Sequence, residues 1–116
     1  MNSQRFKETA ELIRDNKTYK VYDLPVGNMK LSLTELKSGK KTKGHSHKET
    51  DEVYIFTKGI GYIEIIDEGG LNRSVDTVQK GDAVAVPAGS FHRVLNNKQQ
   101  DCELCFWSIF NKYGDR

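Results

Sequence analysis

Three histidines and one glutamate are the residues of this 116-residue chain whose types and spacing suggest chemistry. His45 and His47 are separated by one residue, and Glu52 follows shortly after them. In an extended segment, side chains two residues apart point to the same face, so the two imidazoles would project together. A turn can bring Glu52, which begins the strand-like run EVYIF, back beside them. Two imidazoles and a carboxylate are common ligands of a divalent metal ion, and we expect His92 to complete the site.

The composition favours a single folded domain. The net charge of +2 is small, and basic residues are interspersed with acidic ones, so a nucleic-acid partner is not indicated. No apolar run approaches the roughly 18 residues that a membrane span needs. Residues 1–16 are charged throughout, which is not typical of a signal peptide. We therefore expect one cytoplasmic domain that binds neither nucleic acid nor membrane.

The two cysteines, Cys102 and Cys105, have the C-x-x-C spacing of zinc sites and redox pairs. Their context, DCELCFWSIF, is strand-like and would place the two thiols on opposite faces. A zinc site would require a second pair of ligands, and a redox pair normally sits at the start of a helix. The sequence therefore predicts one buried and one half-exposed thiol without a function of their own.

A helix is predicted only near the N-terminus, over residues 3–15. Phe6 and Ile13 fall on one stripe of this segment, and charged residues cover the remainder. Tyr19–Tyr22 is then predicted as a short edge strand. These elements make up residues 1–27, which we separate from a barrel formed by residues 28–116.

From residue 28 onward the pattern is that of β-strands separated by turns. The predicted strands are Met29–Lys37, Glu52–Thr57, Ile60–Ile66, Arg73–Val78, Ala83–Val86, Phe91–Leu95 and Cys102–Phe110, with a polar loop at Asn96–Asp101. With the first edge strand this makes about eight short strands, which is typical of a sandwich or barrel. Two halves of the chain each contain a glycine turn followed by histidine, and a jelly roll would bring these halves face to face.

The residues of the two halves resemble a known pair of motifs. The first half fits G-x5-H-x-H-x4-E-x6-G through Gly39, His45, His47, Glu52 and Gly59, and the second fits G-x5-P-x-G-x2-H-x3-N through Gly81, Pro87, Gly89, His92 and Asn96. Together they resemble the signature of the cupin superfamily. The resemblance implies an all-β cupin fold (a double-stranded β-helix or jelly-roll barrel) with a short N-terminal helix. It also implies a homodimer and one divalent metal ion (Fe, Mn, Ni, Co or Zn) held by His45, His47, Glu52 and His92.

A narrower resemblance concerns the archaeal cupin-type phosphoglucose isomerases. The run T-x-G-H-x-H followed by E-V-Y, and the tail F-W-S-I-F…Y-G over residues 106–114, are similar to theirs. This resemblance implies that a sugar phosphate is held by Thr34, Thr42, Gly44 and Tyr54. Lys43, which lies beside Gly44 in a loop, is a further candidate for binding the phosphate.

The expected chemistry is aldose–ketose isomerisation of a sugar phosphate. A divalent ion with three neutral imidazoles and one carboxylate carries a local charge of about +1 and polarises a carbonyl oxygen. Glu52 or Tyr54 would pass a proton between C2 and C1 of the sugar. Two alternatives are a non-catalytic sugar- or ligand-binding cupin and a non-haem iron dioxygenase, for which an apolar pocket could come from Phe56, Ile63 and Phe106. Arg93 is expected to point away from the metal, because it alternates with His92.

Overall fold

The computed structural model describes residues 3–97 and 102–111, which form one short helix and nine strands. The elements are α1 (Ser3–Thr9), β1 (Glu11–Asp15), β2 (Tyr19–Val26), β3 (Met29–Leu36), β4 (Glu52–Lys58), β5 (Ile60–Ile66), β6 (Arg73–Gln79), β7 (Ala83–Val86), β8 (Phe91–Asn96) and β9 (Leu104–Asn111). Part of the predicted loop, residues 98–101, and part of the tail, residues 112–114, lie outside the described residues.

The strands form two antiparallel sheets with the connections of a jelly roll. The larger sheet has the order β1-β2-β3-β9-β4-β7, and the smaller has the order β6-β5-β8. Strand β9 lies between β3 and β4 in the larger sheet, although it is far from both in the sequence. Gly59 connects the two sheets at a φ of 88°, a conformation that only glycine adopts without strain. The predicted all-β jelly-roll fold is confirmed.

The interior between the sheets is divided into an apolar end and a polar end. Alternation along the strands turns one side chain in two inward, and the apolar members form a core of Leu36, Tyr54, Phe56, Ile63, Val78, Val86, Val94, Leu104 and Phe106. Burial of each large side chain contributes about 1.5–3 kcal/mol to stability. The inward positions at the other end are polar and equally buried, and they include Ser32, Thr34, Glu52, His92 and Ser108. The barrel is thus stabilised at one end and available for chemistry at the other.

The N-terminal helix is shorter than predicted. It ends at Thr9, and Glu11–Asp15 forms strand β1 instead, paired with β2 through a bulge between Leu12 and Arg14. Leu12 and Ile13 are 45% and 41% exposed, so the predicted apolar stripe does not extend beyond the helix. Pairing with the available edge of β2 outweighs the weak helix propensity of this short segment. No helix among residues 3–97 and 102–111 is long and apolar enough to cross a membrane.

The predicted edge strand is also corrected. It extends from Tyr19 to Val26, through Pro25, and it pairs with β1 on one side and β3 on the other. It is therefore an interior strand, because β1 takes the edge position. The division of the chain at residue 27 stays a prediction, and eight residue pairs join β2 to β3 across it.

Helix α1 covers part of the outer face of the larger sheet. The Phe6 ring is 2% exposed and meets Trp107 edge-on, with ring centroids 4.6 Å apart. Lys7 Nζ lies 2.5 Å from Glu35 Oε2 on the adjacent strand β3. Phe106 points inward while its neighbour Trp107 points outward, as the alternation predicts. The helix thus packs against the barrel from outside and leaves the polar end of the interior open.

The two thiols have the predicted burial, with Cys105 buried and Cys102 half-buried, and no disulfide bond joins them. The predicted strand Cys102–Phe110 is shifted, because β9 begins at Leu104 and Cys102 lies before it. Burial raises the pKa of the Cys105 thiol to about 11, and the charges of Glu103 and Glu35 add to this effect. A protonated, buried thiol is a poor nucleophile, which agrees with the absence of a predicted redox role.

Candidate metal centre

The backbone brings the two halves of the motif together. His45 and His92 form an isolated antiparallel bridge, in which His45 N donates to His92 O at 3.1 Å and His92 N donates to His45 O at 2.9 Å. Gly89 N donates to His47 O at 2.6 Å. These bonds fix the loop before β4 against β8, so that the histidines of the loop face His92 and the first residue of β4, Glu52.

All three histidines converge on one carboxylate oxygen. The Nε2 atoms of His45, His47 and His92 lie 3.1, 2.9 and 2.8 Å from Glu52 Oε1. The side chains of His47, His92 and Glu52 are at most 4% exposed, whereas that of His45 is 51% exposed. The cluster is therefore closed on the side of the core and open beside His45.

The carboxylate stays ionised despite its burial. Desolvation acts to raise the pKa of Glu52, but hydrogen bonds from the three imidazoles outweigh it and hold that pKa well below its ordinary value. His92 Nδ1 lies 3.2 Å from Ser90 O, which only accepts hydrogen bonds. When His92 binds a metal ion, its proton would lie on Nδ1, and the Nε2 lone pair would face the ion in place of the hydrogen bond to Glu52.

The distances fit a divalent ion. Metal–ligand bonds of about 2.1 Å at right angles place neighbouring ligand atoms about 3 Å apart. The observed separations from Glu52 Oε1 are 2.8 to 3.1 Å, and all four ligand atoms lie within 4.8 Å of one another. The predicted metal site is therefore compatible with this geometry. Imidazole and carboxylate ligands suit several first-row ions and do not select one.

Tyr54 lies two residues after Glu52 on the same face of β4. Its ring meets His92 edge-on at 5.6 Å between ring centroids, and its side chain is hydrogen-bonded to Glu52. Burial raises the pKa of the Tyr54 phenol well above its ordinary value, and the negative charge of Glu52 raises it further. At neutral pH the phenol therefore keeps its proton and acts as a hydrogen-bond donor.

A cavity of about 780 Å³ adjoins the cluster. Its lining includes His45, His47, Glu52 and Tyr54 together with every residue predicted to bind substrate, namely Thr34, Thr42, Lys43 and Gly44. The fold thus gathers around one cavity residues from β3, β4 and the loop between them. Phe56 and Ile63, proposed above for an apolar oxygen pocket, instead lie in the core, and only Phe106 of that set lines the cavity.

Thr42 and Gly44 are held against β8. Thr42 N donates to Val94 O at 2.9 Å, and Val94 N donates to Thr42 Oγ1 at 3.0 Å, which leaves the hydroxyl proton of Thr42 able to donate. Gly44 has a φ of 88°. A Cβ at this position would lie 2.9 Å from Cε2 of Phe91, so a larger residue would displace the loop.

Several cavity residues were missed by sequence reasoning. Arg14 was assigned to the helix, and the bulge in β1 instead turns it toward the cavity. The other missed residues include Asp23, Ser32, Lys41 and Ser108. Ser32 shares its parity with Thr34, which was a usable signal. Asp23 and Ser108 carried none, because their proximity to the site depends on the register of three strands.

Arg93 is directed as predicted. Its Nε donates to Glu64 Oε1 at 2.5 Å on the outer face of the smaller sheet, although part of the residue reaches the cavity rim. Arg73 donates to the other oxygen of the same carboxylate at 2.5 Å. Arg93 is thus engaged in an ion pair away from the metal ligands.

Comparisons with known proteins agree with this architecture. The chain matches the family model described as "Cupin domain" over residues 32–109. Oxalate decarboxylase of Lactobacillus farciminis, in complex with formate, is similar at a TM-score of 0.80 and 18% identity, over 93% of this chain and 33% of that one. The E162A mutant of Bacillus subtilis oxalate decarboxylase is similar at a TM-score of 0.78 and 22% identity, over 90% and 28%.

A further structure of the Bacillus subtilis enzyme, which has Mn(II) centres, is similar at a TM-score of 0.77 and 24% identity, over 90% of this chain and 28% of that one. The chain therefore spans about a third or less of these decarboxylases. No curated protein matches it significantly in sequence. At these identities the structural likeness establishes the fold alone. The family match covers more than half of the chain and contains all four candidate metal ligands. The chain accordingly belongs to the cupin domain family.

Proposed function

We propose that this cupin is a metal-dependent aldose–ketose isomerase that acts on a sugar phosphate. The observation that carries the proposal is the position of the three-histidine, one-glutamate cluster at the inner side of a cavity. The lining also contains four cationic residues: Arg93, which is paired with Glu64, and Arg14, Lys41 and Lys43. Such a cavity offers a centre for polarising oxygen atoms and a separate attraction for an anionic group.

The phosphate would be bound by residues around the mouth of the cavity. Arg14 lies opposite Val21, and Val21 lies opposite Thr34, so Arg14 and Thr34 belong to one row across three strands. Thr42 can donate its hydroxyl proton, and Lys43 is exposed beside Gly44. A guanidinium, an ammonium and two hydroxyl groups together match the oxygen-rich dianion of a phosphate monoester.

At the inner side, His45, His47, Glu52 and His92 would hold the divalent ion. When bound, the ion supplies Lewis acidity toward the C1 and C2 oxygens of the sugar. Tyr54 keeps its proton and donates it to Glu52, and the phenol oxygen would accept a hydrogen bond from a substrate hydroxyl, which orients the sugar. Glu52, as a carboxylate, is the group of this pair that can accept the C2 proton and return it to C1, so that no net proton is consumed.

The test is turnover by the reloaded protein. We would remove metal with a chelator, reload separately with Mn(II), Fe(II), Ni(II) and Zn(II), and follow conversion of fructose 6-phosphate to glucose 6-phosphate. Turnover that depends on metal, is lost in His92→Ala and persists in the exposed control Asp76→Ala would support the isomerase. Stoichiometric metal without turnover would contradict it.

A second candidate is an enzyme acting on a small carboxylate. The cationic residues at the cavity favour it, and the structurally similar proteins named above are oxalate decarboxylases. Release of CO₂ from oxalate by the Mn(II)-loaded protein would replace the isomerase with this function. The dioxygenase alternative would require oxygen uptake with Fe(II), and ligand binding without any turnover would indicate the non-catalytic cupin. The homodimer and the cytoplasmic location stay predictions, and light scattering would test the first.

A further inference from the structure

A polar row crosses the wall of the cavity from the metal centre toward β1. In the register of the larger sheet, Tyr54 lies opposite Ser108, Ser108 opposite Ser32, and Ser32 opposite Asp23. Residues directly opposite one another project on the same face of a sheet. At about 4.8 Å per strand, the three steps from Tyr54 to Asp23 span about 14 Å.

The three residues beyond Tyr54 are deeply placed and line the cavity. Asp23, Ser32 and Ser108 are each 7% exposed. Ser32 Oγ donates to Asp23 Oδ1 at 2.5 Å, and Lys30 Nζ lies 3.3 Å from Asp23 Oδ2. A carboxylate can accept about four hydrogen bonds, so Asp23 retains capacity beyond these two contacts. Because the Ser32 hydroxyl donates its proton to Asp23, it can only accept further hydrogen bonds through its lone pairs.

The adjoining row shows what packing alone would favour. It begins at Arg14 on β1 and continues through Val21, Thr34, Phe106 and Phe56, and in this continuation only Thr34 is polar. Burial of hydroxyl and carboxylate groups is costly unless each finds hydrogen-bond partners. Asp23 and Ser32 meet part of this cost by bonding to each other, and both keep acceptor capacity in the cavity wall, which indicates a ligand with hydrogen-bond donors.

The chemistry of the row defines that ligand. Asp23 and Ser32 both present lone pairs, so the row accepts hydrogen bonds from O–H groups. We propose that Asp23, Ser32 and Ser108 form a hydroxyl-binding strip that selects a polyhydroxylated carbon chain. Asp23 is the specificity-determining residue of this strip. The inference rests on the proposed sugar-phosphate function for the identity of its ligand, and it places the sugar hydroxyls along the strip with the phosphate near Arg14 and Lys43.

The experiment compares a long and a short ligand that cannot be isomerised. Binding of D-glucitol 6-phosphate and glycerol 3-phosphate to the Mn(II)-loaded protein would be measured by calorimetry. We expect Asp23→Asn to weaken the binding of glucitol 6-phosphate about tenfold, since it removes hydrogen bonds to a charged group. The binding of glycerol 3-phosphate should weaken less than twofold. Ser108→Ala, which changes the side-chain volume little, should weaken the binding of glucitol 6-phosphate about threefold. Asp76→Asn, an exposed substitution on β6, should alter neither.

Two results would overturn the strip. One is equal weakening of both ligands by Asp23→Asn and Ser108→Ala, which would indicate a structural role only. The other is unchanged binding of glucitol 6-phosphate in both variants. If neither phosphate binds the wild type, the sugar-phosphate function fails, and the strip is judged separately with neutral D-glucitol and ethylene glycol. In the wild type, bound Mn(II) should then enhance the relaxation of glucitol protons more than that of ethylene glycol protons, and Asp23→Asn should abolish this difference. The same difference between the two ligands in both proteins would reject the strip.

Discussion

Glu52 and Glu64 lie on consecutive strands and are 2% and 3% exposed, but their side chains contact different kinds of nitrogen-containing group. Glu52 faces the interior and meets three imidazoles, whereas Glu64 faces outward and meets the guanidinium groups of Arg73 and Arg93. In both cases burial acts to raise the pKa of the carboxyl group, and the hydrogen bonds of the neighbours lower it below its ordinary value.

The neighbours decide what each carboxylate can do. A guanidinium is always charged and has no lone pair, so the Glu64 cluster is closed once its ion pairs have formed. A neutral imidazole has a lone pair on one ring nitrogen, so the Glu52 cluster can exchange hydrogen bonds for metal coordination. Similar burial and similar pKa shifts therefore accompany a structural ion pair in one place and a candidate metal centre in the other.

The largest expected difference concerns the glutamates themselves. Glu52→Gln should reduce bound metal from one ion per chain to below about 0.1, because a charged ligand is lost, and the proposed isomerase turnover should fall at least about 10³-fold. Glu64→Gln should retain the ion. Metal content by mass spectrometry and a coupled assay of glucose 6-phosphate would measure both. Full metal occupancy in Glu52→Gln would show that the two clusters are not distinct in function.

The neighbouring residues on β8 give the next contrast. His92→Gln should weaken metal affinity at least about 100-fold, more than the loss expected for a residue that only supports a ligand. Arg93→Gln, one position away and facing outward, should change it less than twofold. Competition with a chromophoric chelator would measure the affinities. A similar loss of metal affinity in the two variants would mean that either substitution perturbs the whole barrel. The two residues would then not differ in their role at the metal centre.

Stabilisation by metal should follow the same division. A metal ion at 100 times its Kd adds about 2.7 kcal/mol to the free energy of unfolding, which corresponds to a rise in Tm of roughly 10 °C for a domain of this size. The rise should occur in the wild type and in Glu64→Gln, disappear in Glu52→Gln, and be reversed by chelator. Thermal melts measure it, and an equal rise in Glu52→Gln would place the ion elsewhere.

The smallest expected effect is the acid dependence of the Glu64 ion pairs. Since the pKa of Glu64 is lowered in the folded state, its contribution is present above the ordinary value of about 4.3 and is lost as the pH falls below it. In chelator and in a Glu52→Gln background, the protein with Glu64 should melt roughly 5 °C above Glu64→Gln at pH 7. This gap should close toward pH 3. A gap that is independent of pH would contradict an ionic role for Glu64.

Much of the metal centre was predictable because its residues follow fixed spacings. The interval between His45 and His47 places two imidazoles together in any extended segment, and the strand pattern turns Glu52 and Tyr54 to one face. The strands Ile60–Ile66 and Ala83–Val86 have the predicted bounds. Alternation of apolar residues and the intervening turns determine such elements locally, so the sequence suffices for them.

The errors arose where a segment could adopt either of two conformations. Glu11–Asp15 carries a pattern that fits a helix, and only the exposed edge of β2 makes it a strand. The same pairing directs Arg14 to the cavity and makes β2 an interior strand. Helix propensity contributes little free energy over five residues, so the hydrogen bonds to a neighbouring strand determine the conformation.

By itself, the sequence determined the strand-rich fold, the four candidate metal ligands and the alternation that sends His92 inward and Arg93 outward. Only the tertiary structure decided that three Nε2 atoms meet one oxygen of Glu52, and that Asp23, Ser32 and Ser108 form one row with Tyr54. The physical reason is that the direction of a side chain is a local property of a strand. Register and proximity instead depend on pairing between residues far apart in the sequence, such as Ser32 and Ser108, which are 76 positions apart.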